Sequence, residues 1–326
     1  MAFPCVIDVH AHIVFEELHG SAGDYGPEAM KDEEGVDCFR IGDYTLKPLS
    51  YAETVFTNLD LRIEHMDRLG IDLQVLSPNP LTMMHGIEAE VAHSFCVQQN
   101  DLMALQVAAR HDRFRGLAAL PMQDIDAACQ ELERSVSNLG LSGACVGTDF
   151  PHGFASTGMD ALYRKFVELD VPLFIHPSST DGSRGLHDKR LEPHALSLSL
   201  GYAYEETLAV ATIILGGVLD RHPDLDICVS HGGGCVSFLS EKFDHLAKYD
   251  SSVAAGVTAQ GFLHHLRRLW FDTHVHGDRS RQLLTEYVGN NKLVFGTNLG
   301  GFDSPEIIPE YALTLSDNAR RLLRLS

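Results

Sequence analysis

The 326-residue chain is short of positive charge and of long hydrophobic runs. Lysine and arginine together number 25, against 45 aspartate and glutamate residues, which gives a formal net charge of -20. Such a balance repels nucleic-acid backbones and anionic membrane surfaces. The longest apolar stretch, residues 208–219, is too short to cross a bilayer. We therefore expect neither nucleic acid nor a membrane to be a partner.

The chain also lacks paired cysteines and a signal-peptide pattern. Its seven cysteines are scattered without a Cys-x-x-Cys pair, which favours a reducing compartment over a disulfide framework. The first residues, Met1 to Pro4, carry no basic segment. With 44% hydrophobic and 21% charged residues, wholesale disorder is excluded. These features predict a globular cytoplasmic protein, and we expect it to be an enzyme.

What the sequence does contain is a regular alternation of short apolar runs and helical patterns. Near-continuous apolarity with β-branched and aromatic residues is typical of parallel strands buried on both faces. Eight such runs predict a single α/β domain over residues 1–326, a (β/α)8 TIM-type barrel. An open doubly wound sheet is disfavoured because there is no G-x-G-x-x-G motif or P-loop. The predicted strands are residues 5–10, 71–76, 114–120, 144–146, 171–175, 225–229, 269–272 and 292–296. The predicted helices are residues 59–69, 88–109, 125–139, 159–169, 205–219, 235–248 and 279–288.

One stretch interrupts this alternation. Residues 14–50 are irregular, rich in glycine and acidic around Asp32, Glu33 and Glu34. Long loops in compact domains are usually either functional or disordered. Because this insertion follows the first strand, we expect it to lie over the mouth of the barrel as a lid. A mobile surface insertion is the alternative.

Histidines stand at the ends of several predicted strands. His10 and His12 lie two residues apart in the first strand, so both side chains project from the same face. His176 follows the fifth run, His231 the sixth, and Asn298 the eighth. A barrel builds its active site at the carboxyl ends of its strands, and converging imidazoles bind a divalent metal such as zinc. The sequence therefore predicts a metal site at this end of the barrel.

Other reactive patterns have competing interpretations. His274 and His276 form a second His-x-His pair, which either holds a second metal or belongs to the surface, and Asp272 is expected to anchor hydrogen bonds of the barrel. The His-Gly-Gly-Gly run at His231 resembles a lipase oxyanion-hole motif, but the Gly-x-Ser-x-Gly nucleophile elbow is absent. Its glycines are expected to relieve crowding or admit a ligand. Cys228, inside a strand, is expected to be inert.

Four segments occur in an order that is typical of one superfamily. They are Val6-Ile-Asp-Val-His-Ala-His12, Phe174-Ile-His-Pro177, Ser230-His-Gly-Gly-Gly234 and Val294-Phe-Gly-Thr-Asn298. In these segments the chain resembles the amidohydrolase superfamily, and more closely the branch that contains aminocarboxymuconate semialdehyde decarboxylase. Segments between them are similar to the same branch, so the likeness covers nearly the whole chain.

The resemblance implies a metal-dependent barrel enzyme that acts on carboxylated aromatic or ring-cleavage compounds. By motif, His10, His12 and His176 would bind one divalent metal, most often zinc and otherwise manganese. His231 would be the general acid/base. A homodimer is also expected from the resemblance.

The chain departs from this pattern at the eighth strand. The family normally ends that strand in Gly-Thr-Asp, whereas this chain has Asn298 after Thr297. An amide can coordinate weakly through its oxygen but does not act as an acid or base near neutral pH, so His231 is the better proton carrier of the two catalytic candidates. Two alternatives are that Asn298 is an introduced substitution, or that Asp303 replaces the missing carboxylate.

A carboxylate substrate needs cationic partners. In the insertion, Arg40 and Lys47 are candidates, with Tyr44 as a hydrogen-bond donor. Lys242 stands where the resemblance implies an arginine that crosses a dimer interface, although lysine lacks the bidentate fork. Further candidates follow the fifth strand: Arg184, Lys189 and Arg190. For each of these residues, an ordinary solvated surface charge is the alternative.

The leading hypothesis is a metal-dependent, non-oxidative decarboxylase of an aromatic or muconate-type carboxylic acid. The alternative is a metal-dependent hydrolase or hydratase of a ring-cleavage product that uses the same site, where the metal is a Lewis acid. A metal-free barrel kept as a binding or scaffold protein is a third hypothesis. The four strand-end histidines argue against it, and only Asn298 argues for it.

Overall fold

All eight predicted apolar runs contain strands of one barrel. The computed structural model describes residues 5–178, 189–191, 193–301 and 303–325. The strands in chain order are β1 (Ile7–Ile13), β2 (Glu28–Lys31), β3 (Asp37–Ile41), β4 (Tyr44–Leu46), β5 (Leu73–Pro78), β6 (Phe114–Gly116), β7 (Ala144–Gly147), β8 (Leu173–His176), β9 (Ile227–Val229), β10 (Trp270–Asp272) and β11 (Leu293–Val294). Strands β2, β3 and β4 belong to the insertion, and the other strands form the barrel.

Parallel pairing joins the barrel strands into two ladders, which backbone hydrogen bonds connect. One ladder has the order β1-β5-β6 and the other β11-β10-β9-β8-β7. Between β6 and β7, Ala118 pairs with Ala144 in a parallel bridge. Between β11 and β1, the amide of Val9 donates to the carbonyl of Phe295 at 2.9 Å. These contacts close the cylinder, and the predicted TIM-type barrel is confirmed.

The interior of the barrel is apolar below the histidines. In register across three strands, Cys145, Phe174 and Cys228 are neighbours in the buried interior. Burial raises the pKa of the Cys145 thiol to about 12 and that of Cys228 well above its usual value. Both thiols are therefore packing groups, which agrees with the inert role predicted for Cys228. The reactive histidines therefore lie at the carboxyl ends of the strands, above this apolar interior.

Each predicted helix has a counterpart in the structure. The helices are α1 (Leu59–Leu69), α2 (Ala89–Ala109), α3 (Ile125–Ser137), α4 (Asp160–Glu168), α5 (Tyr202–Leu215), α6 (Val218–Arg221), α7 (Val236–Leu246), α8 (Ala255–Gln260), α9 (Phe262–Leu266), α10 (Asp278–Val288), α11 (Tyr311–Thr314) and α12 (Ser316–Leu322). Asp124 caps α3, because its side chain accepts from the amides of Asp126 and Ala127 at 2.9 and 3.1 Å. The helix predicted over residues 205–219 is interrupted at Gly217, whose φ of 71° is left-handed.

The helical segment Pro193–Leu215 is long and apolar enough, by length and composition, to cross a bilayer. In the fold, the side chains of Val210, Ile213 and Ile214 on α5 are buried in the hydrophobic core. The same helix also buries two glutamates, Glu205 and Glu206. Helices in the core of a globular fold can be equally long and apolar, so we do not assign this segment to a membrane.

The insertion contains a small sheet that the sequence did not predict. Strands β2, β3 and β4 pair antiparallel, and the β3–β4 turn joins Ile41 to Tyr44. Phe39 and Ile41 pack into the hydrophobic core, whereas every residue of β2 is exposed. Such short strands with little apolar alternation give no period-2 signal, and for this reason the segment resembles a loop in the sequence.

Candidate metal centre

The two histidines of β1 bring their Nε2 atoms to within 3.3 Å of each other. His10 donates from Nδ1 to Oδ2 of Asp272 at 2.7 Å. The Nδ1 atom of His12 lies 2.9 Å from the Ser77 hydroxyl and 3.2 Å from the carbonyl of Pro78. Since a carbonyl only accepts, Nδ1 is the protonated nitrogen of His12. Both Nε2 atoms are therefore unprotonated at this short separation.

Histidines from β8 and from the turn after β9 complete the group. His176 donates from Nδ1 to the carbonyl of Pro177 at 2.7 Å, and its buried Nε2 has no hydrogen-bond partner among the described residues. The ring centroid of His176 lies 4.6 Å from that of His12 and 5.1 Å from those of His10 and His231. We call His10, His12, His176 and His231 the four-histidine cluster.

A divalent cation fits this cluster. Unprotonated nitrogens at such distances repel one another, and a buried polar atom without a partner is costly, so a cation among them would stabilise the arrangement. Ligand atoms of His10, His176 and His231 all lie within 4.8 Å of one another. Burial lowers the pKa of His10 to about 4 and holds those of His12 and His176 well below their usual value. These three residues are neutral, as metal ligands must be, at pH 7.

His231 contacts a buried carboxylate, as His10 does, but its pKa shifts in the opposite direction to those of the other three histidines. Its Nδ1 lies 2.7 Å from Oε1 of Glu206 on α5, and Ser230 donates its hydroxyl proton to the same oxygen. Burial acts to lower the pKa of His231, but the Glu206 carboxylate outweighs it and raises this pKa to about 9. At pH 7 His231 is therefore protonated and able to donate a proton.

The glycine run after β9 places His231 beside α5. Gly234 has a left-handed φ of 64°, and a Cβ atom there would lie 2.1 Å from the carbonyl oxygen of Ala203 in α5. Only glycine permits this approach of the turn to the helix. The approach brings His231 next to Glu206, which lies one turn further along α5. The relief of crowding expected of these glycines is thus what the structure shows.

Buried polar contacts hold β1 in place. Asp8 accepts hydrogen bonds from the Gln74 amide and the Thr297 hydroxyl, both at 2.6 Å. The fully buried Arg62 donates to Gln74 at 2.8 Å and to the carbonyl of His12. This network joins β1 to β5 and to the segment after β11. Asp8, Gln74 and Arg62 all have hydrogen-bond partners, so this network fixes the position of β1 without leaving a buried charge unpaired.

A second group of ligand atoms lies at the barrel mouth, formed by His274, His276 and Asp303, which we call the outer triad. The Nε2 atoms of His274 and His276 lie 3.0 and 3.2 Å from Oδ2 of Asp303. Asn298 donates from its amide to the other oxygen of Asp303 at 3.0 Å. Asn298 therefore orients the Asp303 carboxylate, and it does so from a left-handed φ of 52° that asparagine tolerates better than most residues.

Two predicted substrate-binding cations have other partners. Arg40 on β3 lies 2.6 Å from the carboxylate of Glu28 on β2, and Lys47 lies 2.9 Å from that of Asp32. These pairs are internal to the insertion, because its acidic residues lie next to its basic ones. Tyr44 on β4 is half-buried, and burial raises the pKa of its hydroxyl. We therefore do not assign Arg40 or Lys47 to the site.

The remaining predicted cations are exposed or lie elsewhere. Lys242 is exposed on α7, and Lys189 and Arg190 are exposed at a short 3-10 turn. Arg184 lies outside the described residues.

Sequence reasoning missed two carboxylates that contact the cluster. Asp272 serves barrel hydrogen bonds as expected, since its Oδ1 accepts from the amide of His274 at 3.0 Å, but its Oδ2 also accepts from His10, which was not expected. Glu206 was not predicted at all. The sequence does contain an indication of a buried carboxylate, since Glu205 and Glu206 interrupt the otherwise apolar pattern of α5. Position alone does not tell which of the two faces His231.

The relatives of the chain include decarboxylases and a hydratase. The chain is 29% identical over 251 residues, 77% of its length and 68% of the relative, to 2-amino-3-carboxymuconate-6-semialdehyde decarboxylase of Dictyostelium discoideum. It is 33% identical over 228 residues, 67% of each chain, to gamma-resorcylate decarboxylase of Rhizobium radiobacter. A 2-keto-4-carboxy-3-hexenedioate hydratase of Sphingobium is 26% identical over 91% of this chain and 83% of its own.

A solved structure and a family match agree on the fold. A dihydroxybenzoic acid decarboxylase from Polaromonas, solved with manganese and the inhibitor 2-nitroresorcinol, superposes with a TM-score of 0.78 at 22% identity. The superposition covers 98% of this chain and 97% of that one. The amidohydrolase family matches residues 7–325. The chain therefore belongs to the amidohydrolase family, as the sequence predicted.

Proposed function

We propose that the protein is a metal-dependent, non-oxidative decarboxylase of an aromatic or muconate-type carboxylic acid. The observation that carries this proposal is the four-histidine cluster, in which three neutral imidazoles lie beside one imidazolium that Glu206 holds protonated. The decarboxylases among its relatives support the reaction class.

In this proposal His10, His12 and His176 hold one divalent metal. Nitrogen donors alone suit a borderline ion, so zinc is the first choice and manganese the second, as in the related solved structure. When bound, the metal supplies a Lewis acid that orients the substrate and draws electron density from it. Asp272 holds the ring of His10 in the orientation that directs Nε2 inward.

His231 supplies the proton in this proposal. Decarboxylation breaks the bond between the substrate carbon and its carboxylate, CO2 leaves, and the electron pair stays on the carbon. That carbon must gain one proton, which the Nε2 atom of His231 can donate while Glu206 stabilises the charged ring. The Asn298 amide holds no transferable proton near neutral pH, so its role is to orient Asp303.

The test is a carbon dioxide assay on metal-loaded and metal-free protein. Purified protein is offered a panel of hydroxybenzoic and ring-cleavage acids, and released CO2 is measured before chelation, after chelation and after zinc or manganese is returned. We expect CO2 release with at least one acid, its loss on chelation and its recovery with metal. A product with added water and no CO2 release would instead support the hydrolase or hydratase alternative.

We also propose a cytoplasmic homodimer. The seven cysteines are all free thiols, which suits a reducing compartment. On α7, Phe238, Lys242 and Leu246 share one exposed face, and Phe238 is 79% exposed. Packing of this face against a second copy would bury its apolar side chains. Sedimentation should find a dimer that Phe238→Glu weakens, and a monomeric wild-type protein would contradict this.

A further inference from the structure

We propose that the outer triad is a second divalent-cation site at the barrel mouth. One ligand atom from each of His274, His276 and Asp303 lies within 4.8 Å of the others. Two imidazoles and a carboxylate are a common protein ligand set for zinc, with the remaining position open. This site is separate from the four-histidine cluster and does not share a residue with it.

The buried imidazole of His274 favours a cation at the triad, because the hydrogen bonds of Asp303 leave its Nε2 unsatisfied. His274 is 94% buried, being 6% exposed, yet its Nε2 has no hydrogen bond of acceptable geometry among the described residues. The same atom lies 3.0 Å from Oδ2 of Asp303, and Nε2 of His276 forms a 3.2 Å hydrogen bond with that oxygen. The other oxygen is occupied by Asn298. Oδ2 is thus directed at both nitrogens, as a metal-binding oxygen would be.

The charges around the triad also favour a cation. Three carboxylates contact histidines at this end of the barrel: Asp272, Glu206 and Asp303. Among the described residues, the partners that form ion pairs with these three carboxylates are histidines. The negative charge of the carboxylates makes a divalent cation at the mouth electrostatically favourable.

The position of the triad suggests what a second cation does. The ring centroid of His274 lies 5.5 Å from that of His10 and 5.4 Å from that of His231. An ion on the triad would therefore lie at the edge of the same substrate space. If the proposed function is correct, it would bind an anionic oxygen of the substrate.

The test is metal stoichiometry, which needs no substrate. The protein is stripped with a chelator, titrated with Zn2+ by calorimetry, and its bound zinc is measured after desalting. We expect two equivalents for the wild type, one for His276→Ala and one for His10→Ala. His276 is 72% exposed, so its removal leaves the core intact. His264→Ala, at an exposed histidine outside both groups, should keep two equivalents.

Asp303→Asn is a second test of zinc binding at the outer triad. It preserves side-chain size and should weaken the second equivalent by at least about 10-fold while leaving the first equivalent in place. One equivalent in the wild type that disappears in His10→Ala would overturn the proposal. So would two equivalents that survive both His276→Ala and Asp303→Asn. Either result leaves the carbon dioxide assay untouched, so the two proposals fail separately.

Discussion

The carboxylates at the barrel mouth and those in the insertion have partners of different kinds. In the insertion, Glu28 and Asp32 pair with Arg40 and Lys47, whose positive charge is permanent near neutral pH. At the mouth, Asp272 and Glu206 pair with His10 and His231. The Glu28 side chain is 48% exposed, whereas those of Asp272 and Glu206 are 3% and 0% exposed.

The ion pairs of the insertion have a fixed charge, whereas the charge of the histidines at the mouth can change. An arginine or lysine neutralises its carboxylate once and cannot exchange the proton for a metal ion at neutral pH. A histidine can be neutral and bind a metal, or be charged and donate a proton. Both states occur beside buried carboxylates here, since His10 beside Asp272 is neutral at pH 7 and His231 beside Glu206 is charged. The histidines at the mouth can therefore exchange protons and bind cations, whereas the ion pairs of the insertion only stabilise its structure.

Removing the Glu206 charge should give the largest effect. In Glu206→Gln, His231 loses the carboxylate that contributes most to raising its pKa to about 9, so this pKa falls and less of the ring is protonated at pH 7. We expect kcat at pH 7 to fall by about 10²- to 10³-fold, the typical contribution of a general acid. In the pH–rate profile, the loss of activity with rising pH should begin at a lower pH than in the wild type.

The neighbouring glutamate provides the matched control. Glu205 lies on the same helix and is also buried, but the carboxylate that forms the hydrogen bond with His231 is that of Glu206. Glu205→Gln should change kcat by less than about threefold, in the range of substitutions away from the reacting groups. Equal losses in both variants would mean that the effect comes from the packing of α5 and not from the charge beside His231.

Asp272→Asn should weaken the metal of the four-histidine cluster. An amide accepts the Nδ1 proton of His10 less strongly than a carboxylate does, which lowers the basicity of Nε2. Loss of such a partner typically costs about 10- to 100-fold in metal affinity. A competing chelator measures this affinity. Asp303→Asn is the control at the outer triad, and a comparable loss of the first metal there would contradict the separation of the two sites.

The pH dependence of metal affinity distinguishes the roles of the histidines. His10, His12 and His176 have pKa values lowered to about 4 or well below the usual value, so they bind no competing protons between pH 8 and 6. If they are the ligands, affinity for the first Zn2+ should stay nearly constant over this range. If His231 were a ligand, its proton must leave below its pKa of about 9, and affinity would fall about tenfold per pH unit.

The sequence predicted the parts of this site that follow a local rule. Strand alternation predicted that His10 and His12 share a face, and the ends of the apolar runs predicted where His176 and His231 lie. The partners Glu206 and Asp272 depend on how α5 and β10 pack against other elements, which no local pattern encodes. The pairing of Arg40 with Glu28 was missed for the same reason, since it depends on the register of two short exposed strands.

Substitutions in the insertion should have the smallest effects. Arg40→Ala removes one partner of a partly exposed ion pair, which contributes about 0–1 kcal/mol to stability, and also removes hydrogen bonds to the carbonyls of Asp24 and Gly42. Glu28→Ala removes only the ion pair and should lower the melting temperature by a smaller amount. Because this pair is internal to the insertion, we expect both variants to leave KM within about twofold of the wild type. If Arg40 binds the substrate carboxylate instead, only Arg40→Ala should raise KM, while Glu28→Ala should leave it unchanged or lower it by freeing the guanidinium. Measured side by side, the two variants therefore separate a cation that holds the small sheet together from one that binds substrate.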